Sequence, residues 1–233
     1  RASAPSLINT VPSAAEELLK INAIPASVKT INLAGEPLST ELVNKLYAKT
    51  HVEKVYDLYG PSEDTTYSTY CLRQANVPPS IGRPISNSSV YVLDSYLQAL
   101  PPGVAGQLYL GGLGVARGYY ARAALTAERF VPNPFSSQPG ERLYRTGDLV
   151  SYDMQGRLTY LGRLDHQVKV RGYRIELGEV EAVFTSLIEV DECVVVTVGE
   201  AADRDRTLVA YISTVVTRHH DELGEYLLRT AKF

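Results

Sequence analysis

Three stretches of the chain concentrate groups that could bind or act on a ligand. The octet Asp57 to Asp64, DLYGPSED, sets acids, a phenol and a hydroxyl around Gly60 and Pro61, a pair that makes a tight bend and draws neighbouring side chains together. An ionised Asp57 can only accept hydrogen bonds, whereas the Ser62 hydroxyl can also donate. YRTGDL, Tyr144 to Leu149, places Asp148 directly after Gly147, which lets the backbone turn sharply. GRLDHQVKVRGYRIELGEVE, Gly162 to Glu181, mixes glycine, cations and acids in a way that fits neither a core nor an ordinary surface. The glycine-rich GGLGVARGYY invites comparison with a phosphate loop, but no Lys-Ser or Lys-Thr follows it. Gly111, Gly112 and Gly114 therefore read as serving turns and close packing within β structure.

The patterning around these stretches predicts what holds them. Val28 to Leu33 reads as a strand, Ser39 to Lys49 as a helix with Leu42, Val43 and Leu46 inward, and Lys54 to Leu58 as a second strand. Such a strand-helix-strand unit is expected to be parallel. Before it, Ser13 and Glu16 suggest a capping box opening a helix that ends near Ile21. From Ser89 to Leu161 short strands dominate, divided by Pro and Gly clusters, which predicts a meander or barrel-like β region over about 85–164. Val168 and Val170 alternate with Lys169 and Arg171, and Gly172 supplies a turn before Tyr173 to Ile175, so a β-hairpin is expected. Val180, Val183, Phe184, Leu187 and Ile188 recur at helical spacing after it. Glu192 to Val198 and Thr207 to Val215 read as strands and Asp221 to Arg229 as a helix. The fold class is thus α/β and α+β, with residues 1–164 in a larger part and 165–233 opening a smaller α+β lobe.

Composition narrows the possibilities. The chain has 233 residues, 45% hydrophobic and 21% charged, enough to bury a substantial core. A net charge of -3 gives no basic stripe for nucleic acid, and no apolar run approaches the roughly 20 residues of a membrane span. No signal peptide opens the sequence. Cys71 and Cys193 match no metal or redox spacing and read as reduced thiols of a cytoplasmic protein.

The motifs DLYGPSED, GQLYLGGLGVARGYY, YRTGDL and the Gly162 to Glu181 run resemble, in order and approximate spacing, those of nonribosomal peptide synthetase adenylation domains. These belong to the adenylate-forming superfamily. LINTVPSAAEELL and LAGEPLS extend the likeness over nearly the whole chain. The resemblance implies a ligase that joins an amino acid to the α-phosphate of ATP and passes the acyl group to a phosphopantetheine thiol on a peptidyl carrier domain.

Residue roles follow from the same likeness. Tyr59 is similar to the residue that stacks on adenine, and Asp57 to the acceptor of the adenine amine, where most relatives carry Asn. Gly35 and Gly60 line the nucleotide side, Ser62 stands where a Thr usually contacts the α-phosphate, and Glu63 matches the carboxylate for Mg2+. Asp148 resembles the ribose ligand, Tyr160 a second adenine-edge aromatic, and Arg163 a contact from the hinge side. Asp165 resembles the hinge pivot, with Lys169 and Gly172 on the loop presented for thioester formation. The substrate pocket falls on Asn9 or Thr10, Asn32, Ala34, Leu58, Thr66 and Tyr67. With bulky Leu58 and Tyr67 and no charge, it points to a small uncharged amino acid, with L-alanine as the specific expectation. ARAALTAERF resembles the patch where MbtH-like helpers dock near Ala124, although a plain surface helix also accounts for it.

The likeness also implies that the phosphate loop and the amine-binding Asp precede this segment and that the catalytic Lys follows it. An isolated polypeptide of these residues is then expected to have little adenylating activity, and neighbouring synthetase domains are expected partners. Two alternatives stay open at this point: an acyl- or aryl-CoA ligase of the same superfamily, and a non-catalytic half that binds a carrier or helper.

Overall fold

The computed structural model describes residues 4–165, 167–170, 173–187, 190–199 and 207–214. The chain divides into two compact units, Arg1–Asp165 and His166–Phe233.

In the first unit, β1 (Leu7–Thr10), α1 (Pro12–Lys20), β2 (Thr30–Ala34), α2 (Thr40–Lys49) and β3 (Lys54–Tyr59) are followed by a 3-10 turn (Ser62–Asp64), β4 (Thr69–Arg73) and β5 (Arg83–Pro84). The strands form one sheet in chain order, with β1, β2 and β3 parallel and β4 and β5 antiparallel. Ile31, Leu33 and Val55 bury one face of it against Leu42, Val43 and Leu46 of α2 and Ala15 and Leu19 of α1. Each of these Ile, Leu and Val side chains contributes about 1.5–3 kcal/mol when fully buried. The register is fixed accordingly, since a slip of one residue would turn this face to solvent.

Ser39 caps α2 by accepting the Leu42 amide at 3.1 Å. The capping box expected at α1 does not form. Val11 is the N-cap, Pro12 occupies the first turn, and the Ser13 amide and hydroxyl both donate to Glu36, each at 2.9 Å. Proline needs no partner for its nitrogen at that position, and a carboxylate from a distant loop suits the positive end of the helix dipole.

The second sheet comprises β6 (Ser88–Leu93), β7 (Gly106–Gly112), β8 (Phe130–Pro132), β9 (Arg142–Tyr152) and β10 (Leu158–Arg163), with α3 (Ala123–Arg129) before β8. Its order is β10-β9-β7-β6, with β8 also on β9, all antiparallel. Leu108 and Leu110 pack with Tyr144, Val150 and Leu158 on one side, and Tyr109 packs with Leu93 and Leu143 on the other. Gly111 keeps this packing close, because a Cβ would stand 2.8 Å from a Leu143 methyl and that side chain would have to shift. This is the barrel-like β region expected over 85–164.

The second unit holds the hairpin β11 (Gln167–Val170) and β12 (Tyr173–Glu176), α4 (Leu177–Thr185), and the antiparallel pair β13 (Val190–Val198) and β14 (Thr207–Thr214). Phe184 and Val190 form its small core with Val180, Val183, Leu187 and Ile212. The hairpin and the helix occur where alternation and helical spacing predict them. Gly172, the Lys169 side chain and the expected helix at 221–229 lie outside the described residues. Among the described residues, no helix is long and apolar enough to cross a membrane.

Candidate functional site

Ligands of parallel sheets bind beyond the carboxyl ends of the strands. Here those ends carry Thr10 on β1, Ala34 and Gly35 on β2, and Tyr59 and Gly60 on β3. Gly35 has φ +85° and turns the chain away from the sheet. Gly60 serves close approach, since a Cβ would lie 2.6 Å from the Thr66 carbonyl oxygen and 2.7 Å from the Ser68 nitrogen. The turn it permits folds back so that the Ser68 amide donates to the Tyr59 carbonyl at 2.8 Å. Thr65 and Thr66 absorb the strain of that geometry, with φ of 49° and 74°. Left-handed backbone at a β-branched residue is costly, on the order of 1–3 kcal/mol, and such strain concentrates at binding sites.

Asp148 is where the two sheets of the first unit meet chemically. Its carboxylate accepts from the Tyr59 hydroxyl, from Arg163 Nη1 at 2.8 Å and from the Tyr160 hydroxyl at 3.4 Å. Burial, with the Asp148 charge added, holds the phenol pKa of both Tyr59 and Tyr160 above the usual value. Arg163 reaches Asp148 because the two residues are register partners beyond a bulge between Tyr160 and Gly162, a device that re-aims a strand's side chains. Its Nε and Nη2 also donate to the two oxygens of Asp165 at 2.6 and 2.7 Å, a bidentate fork. Burial works against the Arg163 cation, but Asp165 and Asp148 hold its pKa above the usual value. Gly147, φ +79°, leaves room for this pair, because a Cβ would stand 2.6 Å from Asp165 Oδ2.

Asp57 is 7% exposed and gives its carboxylate to Arg73 at 2.8 Å rather than to the Asp148 cluster. Arg73 also donates to the Leu38 carbonyl at 3.0 Å. The Asp57 charge is therefore offset within the fold. Desolvation still outweighs Arg73, so the Asp57 pKa is pushed up from 3.8 to about 6.

Ser62 is exposed, and Glu63, half-buried beside it, accepts from the Tyr119 hydroxyl at 2.6 Å. Among the described residues no group of three His, Cys, Asp or Glu side chains is gathered for a metal. Mg2+ held with a nucleotide needs only one or two protein carboxylates, the rest coming from water and phosphate. A single carboxylate, oriented by a donor, fits that requirement.

The candidate pocket residues separate by strand parity. Asn9 is the register partner of Asn32, and Ala34 that of Leu58, all on the sheet face opposite the helical core. Tyr67 joins them by donating to Asn9 Oδ1 at 3.0 Å. Thr10 instead pairs with Leu33, whose side chain lies in the core, so the geometry groups Asn9 with the pocket set. Ala124 is exposed on α3, which has no buried residue.

Four partners escape sequence reasoning: Arg73 for Asp57, Tyr119 for Glu63, Glu36 for Ser13, and Arg129, whose guanidinium lies 3.7 Å from Asp165. Only the first leaves a signal, since an acid in place of a neutral residue implies a cation nearby. A cleft of about 240 Å³ beside Cys71, Leu72, Arg73 and Arg83 includes none of the candidate residues.

Strand-end glycines, a buried carboxylate ringed by phenols and a cation, and one oriented acid lie together where a ligand of a parallel sheet would bind. Residues 1–120 match the family model described as AMP-binding enzyme, and the chain belongs to that family, as a portion of an adenylation domain. It is 59% identical over 211 residues to a component of the linear gramicidin synthase of Brevibacillus parabrevis, covering 90% of this chain and 4% of that protein. A holo four-domain nonribosomal peptide synthetase, AB3403, solved with AMP and glycine, superposes with a TM-score of 0.64 at 36% identity over 97% of this chain and 17% of that one. PA1221, which contains adenylation and PCP domains and was solved with a vinylsulfonamide inhibitor, gives 0.83 at 27% identity over 97% of this chain and 39% of that one. The chain thus spans well under half the length of these relatives.

Proposed function

We propose that this chain supplies the central part of an amino-acid-activating site, which forms an aminoacyl adenylate from ATP and transfers the acyl group to a carrier phosphopantetheine. The convergence of Tyr59, Tyr160 and Arg163 on Asp148 carries the reading. Asp148 accepts from the two ribose hydroxyls, displacing first the Tyr160 contact, which at 3.4 Å is the weakest of the three. Tyr59 and Tyr160 flank adenine, and the Asp57 oxygen not given to Arg73 accepts its amine. Gly35 and Gly60 let the backbone come close to the nucleotide. Ser62 donates to the α-phosphate, where hydrogen bonds stabilise developing charge, and Glu63 binds Mg2+.

Asn9, Asn32, Ala34, Leu58, Thr66 and Tyr67 line a pocket for a small uncharged side chain. The glycine bound to AB3403 supports the size class, and alanine is our specific choice. Asp165, at the boundary between a large part (1–164) and a small lobe (165–233), is the hinge that presents Lys169 and Gly172 for thioester formation. The PCP domain of PA1221 supports a carrier as acceptor. An MbtH-like helper would sit near Ala124, and the two free thiols suit the cytoplasm.

Amino-acid-dependent ATP–pyrophosphate exchange by the complete domain tests the reading. L-alanine should exceed arginine and tyrosine by at least tenfold. Exchange fastest with a charged or aromatic amino acid would overturn the pocket assignment.

A further inference from the structure

The loop 112–120 carries the sequence GLGVARGYY and is tied to the 3-10 turn at several points. The Ala116 amide donates to the Glu63 carbonyl at 2.8 Å, and Thr65 Oγ1 donates to the Gly114 carbonyl at 2.7 Å. Gly114 lies so close to buried Asp64 that a Cβ would stand 2.6 Å from its Oδ1. Tyr119 then reaches Glu63 Oε1 at 2.6 Å. Tyr119 is itself fixed. Its amide donates to Thr126 Oγ1 of α3 at 2.9 Å, and its ring meets Phe130 edge-on at 5.5 Å. A phenol this close to a carboxylate makes a charge-assisted bond.

Such a bond does more than hold the turn, because backbone bonds already do that. Carboxylates that ligate metals are themselves oriented by hydrogen-bond donors. We propose that Tyr119 is a positioning residue that fixes the Glu63 carboxylate toward a divalent cation bound with the nucleotide, with Thr126 of α3 anchoring Tyr119 in turn. This rests on the proposed assignment of Glu63 to the metal.

The test uses the complete adenylation domain, Mn2+ as the probe read by electron paramagnetic resonance, and a non-hydrolysable ATP analogue. Tyr119→Phe keeps the ring and removes the donor. It should weaken Mn2+ binding to the enzyme–nucleotide complex by about tenfold, with metal-free nucleotide binding by calorimetry unchanged. Glu63→Gln should weaken Mn2+ binding at least as much, and the double variant no further. Unchanged Mn2+ binding in Glu63→Gln would remove the metal assignment on which the proposal stands. A weakened Glu63→Gln beside an unaffected Tyr119→Phe would overturn the role of Tyr119 alone. Should Tyr119→Phe fail to fold, Thr126→Val is read in the same titration; weakened Mn2+ binding supports the proposal and unchanged binding overturns it.

Discussion

The β3–β4 arm of the candidate site and the β9–β10 arm meet at the Tyr59–Asp148 hydrogen bond, yet they are held by different forces. The first relies on backbone closeness around Gly60, two strained threonines and an ion pair, Asp57–Arg73, whose side chains are 10% and 1% exposed. The second relies on a charge cluster graded from buried to partly solvated, with Arg163 and Asp148 11% and 8% exposed, Asp165 27% exposed, and Tyr59 and Tyr160 as further donors to Asp148. An interior pair without its partner is severely destabilising, whereas a partly solvated pair is screened. The first arm should therefore govern folding, and the second should govern ligand affinity and its response to salt.

The sharpest break is Arg73→Met. It leaves the Asp57 carboxylate buried without its cation, at a cost of about 3–5 kcal/mol. That corresponds to a fall in melting temperature on the order of 10 °C by calorimetry. Arg163→Met should fall by less, and the reverse order would dissolve the distinction between the arms. Next comes Gly60→Ala, which drives a methyl into backbone atoms that cannot step aside and should cost about 1–3 kcal/mol. Gly147→Ala meets the side-chain ends of Asp165 and Arg163 and also inherits a φ of +79°, so it should cost about 1–2 kcal/mol of stability and lower nucleotide affinity as well.

Smaller is Arg163→Lys, which keeps the charge and loses the fork to Asp165. Titration with a nucleotide analogue should show a dissociation constant roughly three- to tenfold higher, with steeper salt dependence than wild type. Smallest is a pH effect at Asp57. Its folded pKa, about 6, lies above the ordinary 3.8, so its contribution is complete below pH 3.8 and is lost as pH rises to about 6. The melting temperature of wild type relative to Asp57→Asn should fall across that window, and a flat difference would place the Asp57 pKa near its ordinary value.

The sequence yields the first arm's scaffold readily, because alternation in β2 and β3 and the Leu42, Val43, Leu46 face of α2 are local patterns. The hairpin of β11 and β12 is equally local. What stays hidden depends on tertiary register. Arg73 meets Asp57 only because β4 runs antiparallel to β3, and Tyr119 meets Glu63 across 56 residues. The Ser13 capping box is a plausible local rule overridden by Glu36, which no window of neighbouring residues contains. The Asn9 or Thr10 ambiguity is likewise a question of strand parity, which depends on the β1–β2 register and not on any local pattern.

The positive φ of Thr66 bears on how the proposed pocket could be rebuilt. Any residue installed there inherits a left-handed backbone that glycine, and to a lesser degree asparagine, adopts cheaply. Asn or Gly at 66 would begin from a more stable chain than the natural one, while Val or Ile would retain the strain and lose the hydroxyl. The range of side chains the pocket could be re-engineered to accept is thus bounded at this position by one backbone torsion as much as by the volume of the substrate.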